Sequence, residues 1–123
     1  MITLKNLHLA TEQEIFDQVA RHLLTQMETS IVGSVCKYRH IKQDGTILKC
    51  AAGCLIADDE YIKDFERKTW SLLIEKYGIP NTNAWLISQL QILHDTMATE
   101  YWKNELEILA KGFNLNTEVL NEF

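Results

Sequence analysis

Apolar residues recur at helical spacing along most of this chain, and only residues 35–50 break into a different period. That contrast constrains the fold more than any other feature. Thr11-x-x-Glu14 has the spacing of a capping box, with Glu12 and Glu14 at the positive end of a helix dipole. Ile15, Phe16, Val19, Ala20, Leu23, Leu24 and Met27 follow on one broad face, which predicts a helix from about Glu12 to Glu28. Asp17 and Arg21 are spaced to pair across one turn of it. Trp70, Leu73, Ile74 and Tyr77 mark a second helix, stopped at Gly78 with Pro80 just beyond. From Asn83 onward Leu86, Leu90, Leu93 and Met97 share a face, and a last helix carries Trp102, Leu106, Leu109 and Ala110 and closes at Gly112. Trp70, Trp85 and Trp102 all fall at core spacing, so packing is expected for each.

The exception is β-branched and aromatic. Val35–Ile41, a favoured Asp44-Gly45 turn and Thr46–Cys50 read as one β-hairpin, with residues 29–34 as its connector. An isolated hairpin is marginal in water, so this one is expected to pack on the helices. Ile2–Leu4 is a candidate third strand. Ala51–Ile56 reads as a short helical turn, and Asp58-Asp59-Glu60 as the start of another ending near Phe65. The sum is an α+β fold: one predominantly helical domain over residues 1–123, with an ordered core from about 11 to 113. The tail, 114–123, has apolar spacing at Leu115, Val119 and Leu120 suited to docking or to a partner.

The chain is 46% hydrophobic and 24% charged, which fits a packed domain rather than a disordered one. Seventeen acidic residues against twelve basic ones leave a net charge of −5, which argues against general nucleic-acid binding. No apolar run approaches the roughly 20 residues of a membrane helix, and no continuous hydrophobic segment at the start suggests a signal. The three cysteines are an odd count without disulfide-scaffold spacing, so a reducing cytoplasm is the expected compartment.

All three cysteines lie in one stretch. Cys36, Cys50 and Cys54, with His94 or His40 as a fourth ligand, are a candidate zinc site, although the close pairs of common structural sites are absent. Hairpin register decides its viability. A two-residue Asp44-Gly45 loop sends Cys36 and Cys50 to opposite faces. A three-residue Gln43-Asp44-Gly45 loop puts Cys36, Tyr38, His40 and Cys50 on one face. Free cysteine is among the most buried residue types, so inert packing is the default reading.

Between the cysteines lies a basic cluster, Lys37, Arg39, Lys42 and Lys49, interleaved with Tyr38 and His40. Arg offers a fork of donors and Tyr a stacking face, a set suited to phosphate or carboxylate. The competing reading is a solvated hairpin face, neutralised by Asp58, Asp59, Glu60, Asp64 and Glu66, which follow closely. His94 and Asp95 are adjacent on a helix, diverge by about 100°, and are not expected to form a dyad. No complete catalytic set can be assembled from these residues, so no enzyme activity and no cofactor are expected.

Taken as a set, several segments resemble a family of small uncharacterised bacteriophage and prophage proteins. They are Cys36-Lys37-Tyr38-Arg39, Lys49-Cys50-Ala51-Ala52-Gly53-Cys54-Leu55-Ile56, Asp58-Asp59-Glu60-Tyr61 and Leu90-Gln91-Ile92-Leu93-His94-Asp95. Ala57 departs from the proline common in that pattern. The resemblance implies an accessory role in a bacterial cytoplasm, exerted by binding and often as a homo-oligomer. The expected partner is an anionic, nucleotide-type small molecule, such as a host-defence signal to be sequestered. Lys37, Arg39 and Lys49 would hold its anion, Tyr38 would stack on it, and His94 or Asp95 would contact its base or sugar. The alternatives are a protein–protein inhibitor of a host factor, acting through the acidic stretch or the apolar tail, and the small zinc protein described above.

Overall fold

The computed structural model describes all 123 residues. Thr11 caps α1 (Glu12–Gln26) through the expected capping box: its side chain accepts from the Glu14 N–H, and the Glu14 carboxylate accepts from the Thr11 N–H. The helix ends where Met27 turns left-handed at φ 49°. α2 (Trp70–Tyr77) is capped by the Thr69 hydroxyl and stopped by Gly78 at φ 69°. α3 (Ala84–Thr96) and α4 (Trp102–Gly112) complete the helices. α1 lies at the centre, against α3, α4, the C-terminal segment and the 3-10 turn Gly53–Leu55, while α2 rests on α3. All the buried apolar residues but Leu48 form one cluster of 26, so the molecule has a single core. No helix is long and apolar enough to cross a membrane.

The β structure is two small hairpins rather than one. Ile31–Val32 (β1) pairs with Val35–Cys36 (β2) across Gly33-Ser34, where Gly33 takes φ 63°. His40–Ile41 (β3) pairs with Ile47–Leu48 (β4) around the three-residue Gln43-Asp44-Gly45 loop. The expected long strand is divided because β2 has its own partner in the stretch taken for a connector. The chain then breaks step at Lys37-Tyr38-Arg39, where the Glu66 carboxylate accepts the Tyr38 N–H at 3.0 Å and the Arg39 N–H at 3.3 Å. Those two backbone donors therefore pair with a side chain instead of a neighbouring strand.

Three other expectations are corrected. Ile2–Leu4 is not a strand: the Ile2 N–H goes to Gln18 Oε1 at 2.6 Å and the Leu4 N–H to Glu60 at 3.0 Å. Trp85 is 70% exposed, whereas Trp70 and Trp102 are buried. Arg21 pairs not with Asp17 but with Glu122, through two bonds of 3.0 and 2.8 Å. That pair joins buried Val119 and Leu120 in holding the tail against α1. The tail thus docks on its own domain.

Candidate functional site

Ser30 joins the two hairpins to α3. It is fully buried; its N–H donates to His94 Nε2 at 3.0 Å and its hydroxyl to the Lys37 carbonyl at 2.8 Å. A backbone N–H can only donate, so Nε2 must carry the lone pair and the ring hydrogen must sit on Nδ1. Nδ1 then donates to Asp95 Oδ1 at 2.8 Å. His94 and Asp95 do form a dyad, contrary to the expectation from helical geometry. The 100° divergence applies to Cα–Cβ directions, and the Asp95 carboxylate folds back near the open end of α3, steadied by Gln91 Nε2 at 2.8 Å.

Gln91 is the hub that sequence reasoning missed. Its amide nitrogen also donates to Cys36 Sγ at 3.0 Å, and its oxygen accepts the Ala52 N–H at 2.9 Å. Cys36 is held protonated: a hydrogen bond shared with Cys50, and then burial, push its thiol far above the ordinary range. Burial opposes a charge on His94, but the bonds to Asp95 and Cys36 outweigh it and raise its pKa. The Ser30 N–H facing Nε2 works against adding the second proton there.

Cys36, His94 and Asp95 bring one donor atom each within 4.8 Å of one another. The set differs from the one read in the sequence. Cys54 turns away and donates to the Ala51 carbonyl at 3.1 Å, its thiol pushed up to about 12 by burial. Cys50 Sγ accepts the Gly53 N–H at 3.3 Å. The tautomer disfavours a metal here. A ligating Nδ1 would need the hydrogen on Nε2, facing the Ser30 N–H donor to donor. Elemental analysis of the purified protein is therefore expected to find no stoichiometric zinc. One tightly held equivalent, lost on Cys36→Ser, would overturn that. Nor is Cys36 an activated nucleophile, because the basic nitrogen of His94 is occupied and the thiol is stabilised against ionisation.

The remaining sequence-predicted residues are elsewhere. Arg39 Nε and Lys49 Nζ both reach Asp58 Oδ1 at 3.2 Å, and Lys49 also donates to the Ile56 carbonyl at 3.3 Å. Lys42 pairs with Glu28. Most of the basic cluster is thus neutralised within the fold. Lys37 has no ion pair. Tyr38 is buried, with its hydroxyl donating to the Lys68 carbonyl at 2.5 Å and its ring 6.4 Å from that of Trp70.

Tyr38, Cys36 and Asp95 nevertheless share one feature: all three line one groove of about 670 Å³. Arg39, Lys49, Lys37 and His94 do not line it. Its other wall is the start of α2, with Arg67, Lys68, Thr69, Trp70 and Ser71. Arg67 holds a left-handed φ of 63° and makes no ion pair. The N–H groups of Trp70 and Ser71 have no helical acceptor, as at any helix start, and Trp70 Nε1 is the one buried side-chain polar atom without a partner. An Arg-Lys pair immediately before a Thr cap was the signal available in the sequence. No protein-family model matches the chain, and no curated protein or solved structure is significantly similar to it.

Proposed function

We propose that this is a non-enzymatic binding protein for a phosphate-bearing, nucleotide-type small molecule, held in the groove between the start of α2 and the exposed edge of α3. The observation that carries this reading is the polarity of the groove. Its lining includes two cations, Arg67 and Lys68, beside the free N–H groups of a helix start, which favour an anion. The Asp95 carboxylate on α3 adds an acceptor, and Tyr38, Trp70 and Ile92 supply apolar and aromatic wall. A volume of several hundred Å³ is typical of small-ligand sites. Protonated Cys36 and fully engaged His94 favour binding over chemistry. Sequestration of a nucleotide-derived defence signal by a phage accessory protein is the role this binding would serve, in line with the family resemblance.

The test is incubation with a panel of cyclic and ADP-ribose-type nucleotides, followed by mass spectrometry of what stays bound and by thermal shift. A retained phosphorylated compound is expected. Arg67→Ala should weaken it about tenfold, the worth of one charge-assisted contact. Arg39→Ala should leave it unchanged, because Arg39 is engaged with Asp58 outside the groove. No retained compound and no shift with any nucleotide would sink the proposal.

A further inference from the structure

The groove has one carboxylate in its lining, Asp95, and the two oxygens of that group differ. Oδ1 accepts from His94 Nδ1 and from Gln91 Nε2, both at 2.8 Å, which fills its lone pairs and holds the carboxylate in one orientation. Oδ2 has no hydrogen-bond partner within the protein, and the side chain is 36% exposed. The other unengaged side chains of the groove are the Arg67 guanidinium, a donor, and the hydroxyls of Ser34, Ser71 and Ser88, which can turn to donate. Oδ2 is therefore the one open side-chain position there that can only accept. A ligand must bring it an O–H or an N–H.

Which part of a nucleotide does so follows from the chemistry around Asp95. Reading a base edge takes a donor and an acceptor side by side, as an amide side chain offers them. Gln91 is the single amide side chain lining the groove, and it is fully engaged. Its N–H groups go to Cys36 and Asp95, and its oxygen takes the Ala52 N–H. Trp70 and Ile92 add apolar wall, a contact that every base can make. A ribose instead presents two neighbouring hydroxyls. A carboxylate oxygen with open lone pairs accepts from such a diol, the use to which acidic residues are put in dinucleotide sites.

We infer that Asp95 Oδ2 accepts from the 2′- and 3′-hydroxyls of a ribose, so that the groove reads the sugar and phosphate of its ligand and leaves the base unread. This rests on the nucleotide reading above and narrows it to ribonucleotides of any base. Asp95 is then the residue that sets specificity, while Arg67 holds the charge.

Isothermal titration calorimetry with AMP, 2′-deoxy-AMP and UMP, carried into the millimolar range, is the test. AMP and UMP are expected to bind within about threefold of each other, and 2′-deoxy-AMP about tenfold more weakly, the effect of one unmade hydrogen bond to a carboxylate. Asp95→Asn keeps the shape and leaves an oxygen for His94 and Gln91, but sets an amide N–H₂ where Oδ2 stood. It should bring AMP and 2′-deoxy-AMP to within about twofold of each other. Far-UV circular dichroism should stay native, because both bonds to the retained oxygen persist. Equal binding of AMP and 2′-deoxy-AMP by the wild type overturns the inference without any variant. So do a base preference above about tenfold, a sugar preference that survives Asp95→Asn, and a failure of AMP to bind at all. The nucleotide reading is judged separately, by whether the wider panel leaves a phosphorylated compound bound and whether Arg67→Ala weakens it.

Discussion

Gly53→Ala is expected to destabilise the protein by about 3 kcal/mol or more, the upper range for forcing atoms into a packed interior. A Cβ built on Gly53 would stand 2.1 Å from the Tyr38 carbonyl oxygen, 3.0 Å from its carbon and 3.2 Å from its Cα. All three are backbone atoms, so no side chain can swing aside. Nor can the backbone yield cheaply. Tyr38 is clamped by the Glu66 bond to its N–H and the Lys68 bond to its hydroxyl, and the 53–55 turn is anchored on α1. Gly53 has no positive φ, so the penalty is one of space rather than conformation. For a domain of this size a loss of 3 kcal/mol corresponds to a fall in Tm of roughly 10–15 °C. Gly112→Ala is the control: nothing lies within 4 Å of its Cβ, and its position in α4 favours alanine. If Gly53→Ala melts within a few degrees of wild type, the close approach of Gly53 to Tyr38 is wrong.

His94→Phe should cost about 2 kcal/mol although it preserves ring volume and the neighbour Trp102, whose ring centroid lies 5.6 Å away. The loss comes from the Ser30 N–H, which is buried and would have no acceptor; an orphaned buried donor costs about 1–3 kcal/mol. His94→Ala should cost more, about 3–5 kcal/mol, because an empty ring-sized space is added to the same orphan. Urea unfolding separates the two, with the midpoint moving and the slope unchanged. Equal stability of wild type and His94→Phe would show that the Ser30–His94 bond contributes nothing. The comparison also bears on role, since a histidine kept for a ligand alone would be replaceable by phenylalanine without loss of stability.

Much of the helical frame was legible along the chain. The Thr11-x-x-Glu14 box, the stop at Gly78 and the periodic apolar faces are local, and the structure has them within two residues of expectation. The Gln43-Asp44-Gly45 loop was one of two registers the sequence allowed. The β1–β2 hairpin was missed, though Val-Gly-Ser-Val carries a two-residue turn signal, because the longer apolar run beyond it appeared to claim Val35 and Cys36.

The candidate site divides differently. Residue types decided that Tyr38, Cys36 and Asp95 would be of interest, and they do meet in one groove. Which cations remain available was not decided there. Asp58 engages Arg39 and Lys49, while Arg67 and Lys68, 28 and 19 residues further along respectively, stand at the groove instead. Local sequence determines caps, periods and turns, because those depend on neighbours within a few residues. Ion pairing, the tautomer of His94 and the closeness of Gly53 to Tyr38 depend on groups brought together from distant positions, and only tertiary packing sets those distances.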